Sequence, residues 1–392
     1  MVVTKQAKVL TGKHFTNGNW AIVEGALASG IEEFFAYPIS PASEIVEYIS
    51  ARLPAVGGKA AFIVEDEIAS VNMCIGASWA GSKVLTATSG PGFSLKQEGI
   101  GLAYMTETPL VIINVQRGGP STGLPTFSAQ GDYMQAQFGT HGDYSAIALT
   151  PWSVQECFDL TIECFNLSEQ LRSPVILLLD GEVGRMMEEI TIPKEEDIKV
   201  INRKTPPTGT DKSTFKQFDI TNQKDLVPPM AHFGEGYKIF GTGLTHTDQG
   251  LPLLDEDLHT ELIERLFKKV EVNKHLFPKP HEYKINDAEI IVVATGITAR
   301  SAMEAVIEAR EEGIKAGLFR PITVWPFPIE RISALAKQAE FIVAEMSMGQ
   351  LIWPVERYAH KECKLVKRIG GTPPEPKKIL EAIREQNKKK KK

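Results

Sequence analysis

Between residues 18 and 180 the chain alternates short apolar runs with amphipathic stretches, and this alternation leaves few folds open. Apolar runs of four to six residues read as strands buried on both faces, the pattern of a parallel sheet. The amphipathic stretches between them read as the crossover helices that parallel strands require. Strands are expected at 34–37, 60–64, 84–88, 110–115, 146–149 and 175–179, and helices at 19–28, 42–53, 67–80, 94–105 and 154–171. Turn-forming residues punctuate the joints: Pro38, Pro41, Gly90-Pro91-Gly92, Gly118-Gly119-Pro120 and Pro174.

From residue 194 to about 285 the pattern is lost, and Pro, Gly, Thr and charges dominate around one helix at 258–270. Its many Gly and aromatic residues argue for a long connection packed on the first domain rather than a bare linker. A second, shorter α/β pattern follows. Strands are expected at 289–295, 315–319, 341–345 and 364–369. The helix after Thr295-Gly296 places Ala299, Met303, Val306 and Ile307 on one face, and further helices are expected at 329–339, 350–359 and 376–386. The expected plan is a first domain at 1–193, a connecting region at 194–285, a second α/β domain at 286–387 and a basic tail at 388–392.

Charge and cysteine usage exclude several classes. The net charge is −6, and without the five terminal lysines the remaining chain carries −11, so no positive surface invites nucleic acid. The lysine run itself reads as a solvated, disordered tail. Cys74, Cys157, Cys164 and Cys363 form no C-x-x-C pair, which argues against an iron–sulfur cluster or zinc held by this chain alone. Cys157 and Cys164 share a helix face with Phe158 and Phe165 and read as core. No charged-then-apolar leader opens the chain, and no apolar run approaches the ~18 to 20 residues needed to span a bilayer. The expectation is a cytoplasmic protein with reduced thiols.

Parallel sheets bind ligands at the carboxyl ends of their strands. Four polar clusters fall there: 37–43 (Tyr37, Pro38, Ile39, Ser40, Pro41, Ala42, Ser43), 65–67 (Glu65, Asp66, Glu67), 88–92 (Thr88, Ser89, Gly90, Pro91, Gly92) and 116–123, from Gln116 and Arg117 to Ser121, Thr122 and Gly123. Each has a plain structural reading. The first could be a stiff turn with a helix cap, the acidic triplet could complement a helix N-terminus, Gly90-Pro91-Gly92 could be only a turn, and Arg117 a surface charge. Their convergence on one rim favours a site.

Those clusters, with Gly139-Thr140-His141-Gly142-Asp143, Gly241-Thr242-Gly243-Leu244-Thr245-His246 and Met348-Gly349-Gln350, resemble the alpha subunit of the 2-oxoacid:ferredoxin oxidoreductases, most closely the 2-oxoglutarate type, over about residues 18 to 385. The resemblance implies a thiamine diphosphate-binding, pyrimidine-type domain followed by a domain like the C-terminal domain of transketolases. It implies that Tyr37, Pro38, Ile39, Ser89, Gly90 and Pro91 contact the cofactor. It also implies a glutamate reaching N1′ of the aminopyrimidine ring. The spacing from Glu67 to Gly76 and to the Gly-Pro-Gly turn, similar to that of acetohydroxyacid synthases, selects Glu67 over Glu65 as that catalytic residue.

By the same resemblance Arg117 lies where a substrate carboxylate would bind, and a guanidinium can offer it two parallel N–H bonds. Ser40 stands where the family more often has Thr. Ser121, Thr122 and His141 are further candidate donors, although His141 could equally be a structural loop residue. No Gly-Asp-Gly occurs, and Gln130-Gly131-Asp132 and His141-Gly142-Asp143 are each followed by Tyr. The Mg²⁺-held diphosphate and the iron–sulfur cluster are therefore expected on a beta subunit, with the cofactor between chains and small gamma and delta subunits as further partners. Coenzyme A, ferredoxin and a 2-oxoacid complete the expected partners. An acidic ferredoxin would dock away from this acidic chain.

The nearest alternatives keep the chemistry with a branched-chain or other 2-oxoacid, or make the chain a non-catalytic scaffold. A Rossmann dehydrogenase is disfavoured, because no Gly-x-Gly-x-x-Gly follows a strand.

Overall fold

The structure, a computed structural model, describes residues 7–390. Its larger sheet is built on six parallel strands, in the spatial order Ala148–Leu149, Pro174–Asp180, Leu110–Gly118, Val84–Thr88, Glu33–Ala36 and Ala60–Ile63. Alternation along each strand feeds two cores. Val111, Ile113 and Val115 face the helices Gly18–Ala28, Ser43–Ala55 and Val154–Leu171, whereas Leu110 and Ile112 face the side covered by Glu67–Trp79 and Gln97–Met105. The strand order reverses between Glu33–Ala36 and Val84–Thr88. Ligand crevices of doubly wound sheets open at such a switch point, and the loops 37–42 and 89–92 leave it.

The second sheet runs His281–Tyr283, Ala316–Arg320, Ile290–Val293, Glu340–Glu345 and Lys364–Lys367, parallel except for its first strand. Gly296–Glu311 and Pro376–Lys390 cover one face. The other face, with Ile291, Val293, Phe341 and Val343, joins the core of the first domain. The two sheets therefore share buried surface.

Several elements differ from expectation. Gly90-Pro91-Gly92 does not form a bare turn: it opens a short helix, Gly90–Leu95, with the proline in its first turn, and Gln97–Met105 follows as a separate helix. Thr323–Trp325, although in the second half of the chain, pairs antiparallel with Ala148–Leu149 and extends the first sheet. Gly12–Asn17 and Met187–Ile192 form an antiparallel pair that no local pattern announced. Lys388, Lys389 and Lys390 are not a disordered tail, because they continue the last helix, where Lys390 lies 3.8 Å from Glu289. Lys391 and Lys392 lie outside the described residues.

The irregular stretch after residue 194 is fastened by buried charge. Arg203 pairs with Glu169 at 2.5 Å and donates to the backbone carbonyls of Ser78 and Ser82 at 2.8 and 3.0 Å. Glu107, fully buried, receives Arg265 at 2.5 Å and Lys269 at 2.8 Å from the helix Glu256–Val272. Among the described residues no helix is long and apolar enough to cross a membrane.

Candidate active site

The acidic triplet after the edge strand Ala60–Ile63 divides its work. Glu65 is exposed, and Asp66 caps the next helix by accepting from Ala69 N at 2.7 Å. Glu67, the first residue of that helix, is 5% exposed. Its side chain rests on the start of the helix Gly90–Leu95, where a Cβ on Gly92 would lie 2.4 Å from Glu67 Oε1. No group among the described residues hydrogen-bonds the Glu67 carboxylate. A carboxylate on a buried residue with no protein partner must take its hydrogen bonds from water or from a ligand. Ser89 Oγ, just after the end of Val84–Thr88, is buried and unpartnered.

Arg117 extends from the end of Leu110–Gly118 and is 8% exposed. Its Nη1 donates to the carbonyl of Ser40 at 2.8 Å, which ties two strand-end loops together. Its Nε is buried without a partner, and burial pushes the guanidinium's pKa down. The Nε–Nη2 edge is thus left for a carboxylate.

A cavity of about 780 Å³ opens next to these groups. The first domain lines it with Pro91, Arg117, Ser121 and Asp132, and the second with Ser347 and Gln350. Burial pushes the Asp132 carboxyl up, against the pull of the Asn114 amide that donates to its Oδ2 at 2.9 Å. Gln350 accepts from Met134 N at 3.0 Å and donates to the carbonyl of Gly131, which holds the wall that carries Asp132. Gln130 joins the domains with both ends of its amide. It donates to Thr295 O at 3.0 Å and Asp180 Oδ2 at 3.2 Å, and accepts from Thr298 Oγ1 at 3.0 Å and Met346 N at 3.1 Å.

The candidates from the sequence are not all brought together. Gly90, Pro91, Arg117 and Ser121 line the cavity; the exposed Tyr37, Pro38, Ser40 and Thr122, the half-buried Ile39 and the buried Glu67 and Ser89 are not among its lining residues. His141 does not join them. It lines a second cavity of about 390 Å³ with Tyr104, Tyr144 and His259, because the loop 139–144 turns toward the helix Glu256–Val272. Asp132, Ser347 and Gln350 were missed as site residues. Asp132 and Gln350 fall within Gln130-Gly131-Asp132, which reads by sequence only as a metal-type motif, and Met348-Gly349-Gln350; Ser347 carries no such signal.

A family model described as pyruvate flavodoxin/ferredoxin oxidoreductase, thiamine diphosphate-binding, matches residues 24–265. A second, described as pyruvate:ferredoxin oxidoreductase core domain II, matches residues 288–379. The 2-oxoglutarate synthase subunit KorA of Methanocaldococcus jannaschii is 45% identical over 372 residues, which cover 94% of this chain and 98% of that protein. The chain belongs to the alpha subunits of the 2-oxoacid:ferredoxin oxidoreductase family. The ketoisovalerate oxidoreductase subunit VorB of Methanothermobacter thermautotrophicus is 38% identical over 94% of this chain and 96% of its own length. A solved 2-oxoglutarate:ferredoxin oxidoreductase from Magnetococcus marinus, with 2-oxoglutarate, coenzyme A and succinyl-CoA bound, superposes with a TM-score of 0.90 at 35% identity. It covers 96% of this chain, which spans 65% of that longer one. A split-gene transketolase, 12% identical with a TM-score of 0.53, covers 94% of this chain and shows a likeness of fold alone.

The thiamine-binding domain of this oxidoreductase family fits its cofactor at one end. The partnerless Glu67 carboxylate and the close approach over Gly92 suit an aminopyrimidine ring. Among the described residues no group of three or more His, Cys, Asp or Glu is arranged to hold a metal ion.

Proposed function

We propose that the chain is the alpha subunit of a 2-oxoglutarate:ferredoxin oxidoreductase. With coenzyme A and oxidised ferredoxin, the complex would turn 2-oxoglutarate into succinyl-CoA, carbon dioxide and reduced ferredoxin. The observation that carries this reading is the Glu67 carboxylate, without a protein partner among the described residues, packed against Gly92, whose neighbours Gly90 and Pro91 line the cavity together with Arg117.

In this reading Glu67 holds a proton at N1′ of the aminopyrimidine, which favours the ring's imino form; general acid–base help of this kind is typically worth ~10² to 10⁴ in rate. Bound thiamine diphosphate supplies the carbanion and electron-sink chemistry that no side chain here can offer. The Arg117 Nε–Nη2 edge takes the substrate carboxylate, with the hydroxyls of Ser121, Ser40 and Thr122 as further donors. Tyr37, Pro38, Ile39, Ser89, Gly90 and Pro91 form the surface against the cofactor. The loop carrying Ser347 and Gln350 supplies the second domain's part of the cavity wall.

A beta subunit completes the site in this reading and brings the Mg²⁺-held diphosphate and the iron–sulfur cluster. The missing Gly-Asp-Gly and the four scattered cysteines support that division. Small gamma and delta subunits and a ferredoxin are the remaining partners, in the cytoplasm.

The test is a rate comparison on 2-oxoglutarate, pyruvate and 2-oxoisovalerate, with the chain assembled with its beta partner. We expect kcat/KM to be at least ~10-fold higher on 2-oxoglutarate, about the discrimination a built polar contact gives over its absence. The likeness to the ketoisovalerate subunit supports a second reading, a branched-chain oxoacid substrate. An equal or higher kcat/KM on 2-oxoisovalerate would decide for it.

A further inference from the structure

Beneath the first turn of the Glu67 helix lies a charge that the chemistry above does not use. Lys96 sits between the helices Gly90–Leu95 and Gln97–Met105 and is 0% exposed. Its Nζ donates to the backbone carbonyl of Glu67 at 3.3 Å and to the hydroxyl of Ser70. Ser70 Oγ in turn donates to the same Glu67 carbonyl at 2.9 Å. The ammonium therefore closes a small triangle under the residue whose carboxylate lacks a partner.

That placement is expensive for a residue that only fills space. No carboxylate among the described residues forms an ion pair with Lys96, and an ammonium buried without one loses its hydration for little return. Burial lowers its pKa to about 8, while the Cys74 thiol, Glu67 and Asp66 pull the other way. Methionine or leucine would fill the same volume at no such cost. A costly charge kept beside a functional group is a sign of use rather than of packing.

We propose that Lys96 is the positioning residue of Glu67, its ammonium fixing the Glu67 turn through the backbone carbonyl and Ser70 and supplying a buried counter-charge to the carboxylate that exchanges a proton with the aminopyrimidine ring. The proposal rests on the cofactor reading above. Lys96 itself touches neither ring nor substrate. It acts on where Glu67 stands and on the field around it, and small displacements of such a group are magnified in the rate.

The experiment uses the complex assembled with its beta partner and compares wild type, Lys96→Met, Lys96→Gln and Glu67→Ala. Four quantities are read: deuterium exchange at C2 of bound thiamine diphosphate, cofactor Kd, the KM for 2-oxoglutarate, and Tm. In Lys96→Met we expect C2 exchange to slow at least ~10-fold and cofactor binding to weaken at least ~3-fold. KM should hold within about twofold, and Tm should be unchanged or higher because a buried ammonium has gone. Lys96→Gln, which keeps a donor without the charge, should recover part of the exchange rate. Exchange within about twofold of wild type in Lys96→Met overturns the proposal. So does a loss that tracks a fall in Tm equally in both Lys96 variants, which would mark a merely structural role. Glu67→Ala separates the two failures. Exchange that survives Glu67→Ala overturns the cofactor reading and this proposal with it, whereas exchange lost there but normal in Lys96→Met overturns the Lys96 assignment alone.

Discussion

The Glu67 carboxylate rests so closely on Gly92 that a Cβ there would stand 2.4 Å from Oε1, and 2.2 Å from Thr88 Oγ1. Gly92→Ala must therefore move either the carboxylate or the turn. Overpacking of this kind costs about 1 to 3 kcal/mol of stability, which a protein of this size can absorb. Misplacing a reacting group by about 1 Å can cost ~10² in rate. The expected result is a folded complex with kcat for ferredoxin reduction down roughly a hundredfold. Activity within about threefold of wild type would mean that the contact places nothing that matters.

Removing the carboxylate altogether separates chemistry from folding. Glu67 has no hydrogen-bonding partner to strand, although the buried Lys96 ammonium loses its nearby charge, so Glu67→Ala should still assemble, with Tm within a few degrees of wild type. Oxoacid oxidation should be abolished. Near-normal turnover in the assembled variant would remove Glu67 from the mechanism.

Arg117 spends one N–H on the Ser40 carbonyl and keeps an edge for substrate. Arg117→Lys can make the first bond but not the paired second one. Loss of a bidentate contact is expected to raise KM for the oxoacid roughly tenfold, with a smaller change in kcat. Steady-state kinetics on the assembled complex measure it, and an unchanged KM would count against substrate binding by this residue.

How much of this was legible in the sequence depends on whether the cause is local. Val84–Thr88 was located to the residue because its alternation is complete, with Leu85 and Ala87 in one core and Val84 in the other. Glu67 and Arg117 stood out because chemistry gathers at the ends of parallel strands. Thr323–Trp325 could not be assigned to the first sheet, since its partner Ala148–Leu149 lies far back in the chain. Gly12–Asn17 is largely polar and shows its role only against Met187–Ile192. Asp132 and Gln350 become site residues only when the domains dock. The lysine run misled because charge density argued for disorder, while lysine's own helix propensity carried the last helix through to Lys390.

Glu107 anchors the connecting region to the first domain. Burial alone would push its carboxyl up, but the Arg265 guanidinium and the Lys269 ammonium overcome this and hold it well below the usual carboxylate range. Burial also lowers Lys269 to about 8. Glu107→Ala would leave these cations uncompensated, a loss of about 3 to 5 kcal/mol for a buried pair. We expect Tm to fall by several degrees and protease cleavage to appear first within 256–272. A variant as stable and as resistant as wild type would show that the cluster adds nothing.

Asp180 couples the two domains to pH. Its Oδ2 accepts from Ile297 N at 2.8 Å and Oδ1 from Val183 N at 3.0 Å, so one carboxylate serves the starts of two helices across the interface. Gly296 is required there, because a Cβ would lie 2.1 Å from Asp180 Oδ2. Burial pushes the Asp180 carboxyl up to about 6, against the hydrogen bonds from Ile297, Val183 and Gln130, with the nearby Glu182 charge adding to the rise. The folded state thus holds this proton more tightly than the unfolded chain, where an aspartate titrates near 3.9. The stabilisation is complete below about pH 4 and is lost as pH rises through about 6, a swing on the order of 3 kcal/mol. Asp180→Asn keeps an acceptor oxygen and cannot titrate. Urea melts of both proteins from about pH 4 to about pH 8 should show the stability difference shifting in favour of the asparagine variant, with most of the change between about pH 4 and 6. A difference that stays constant across that range would mean that Asp180 titrates as it does in the unfolded chain, and the interface would then carry no pH dependence through it.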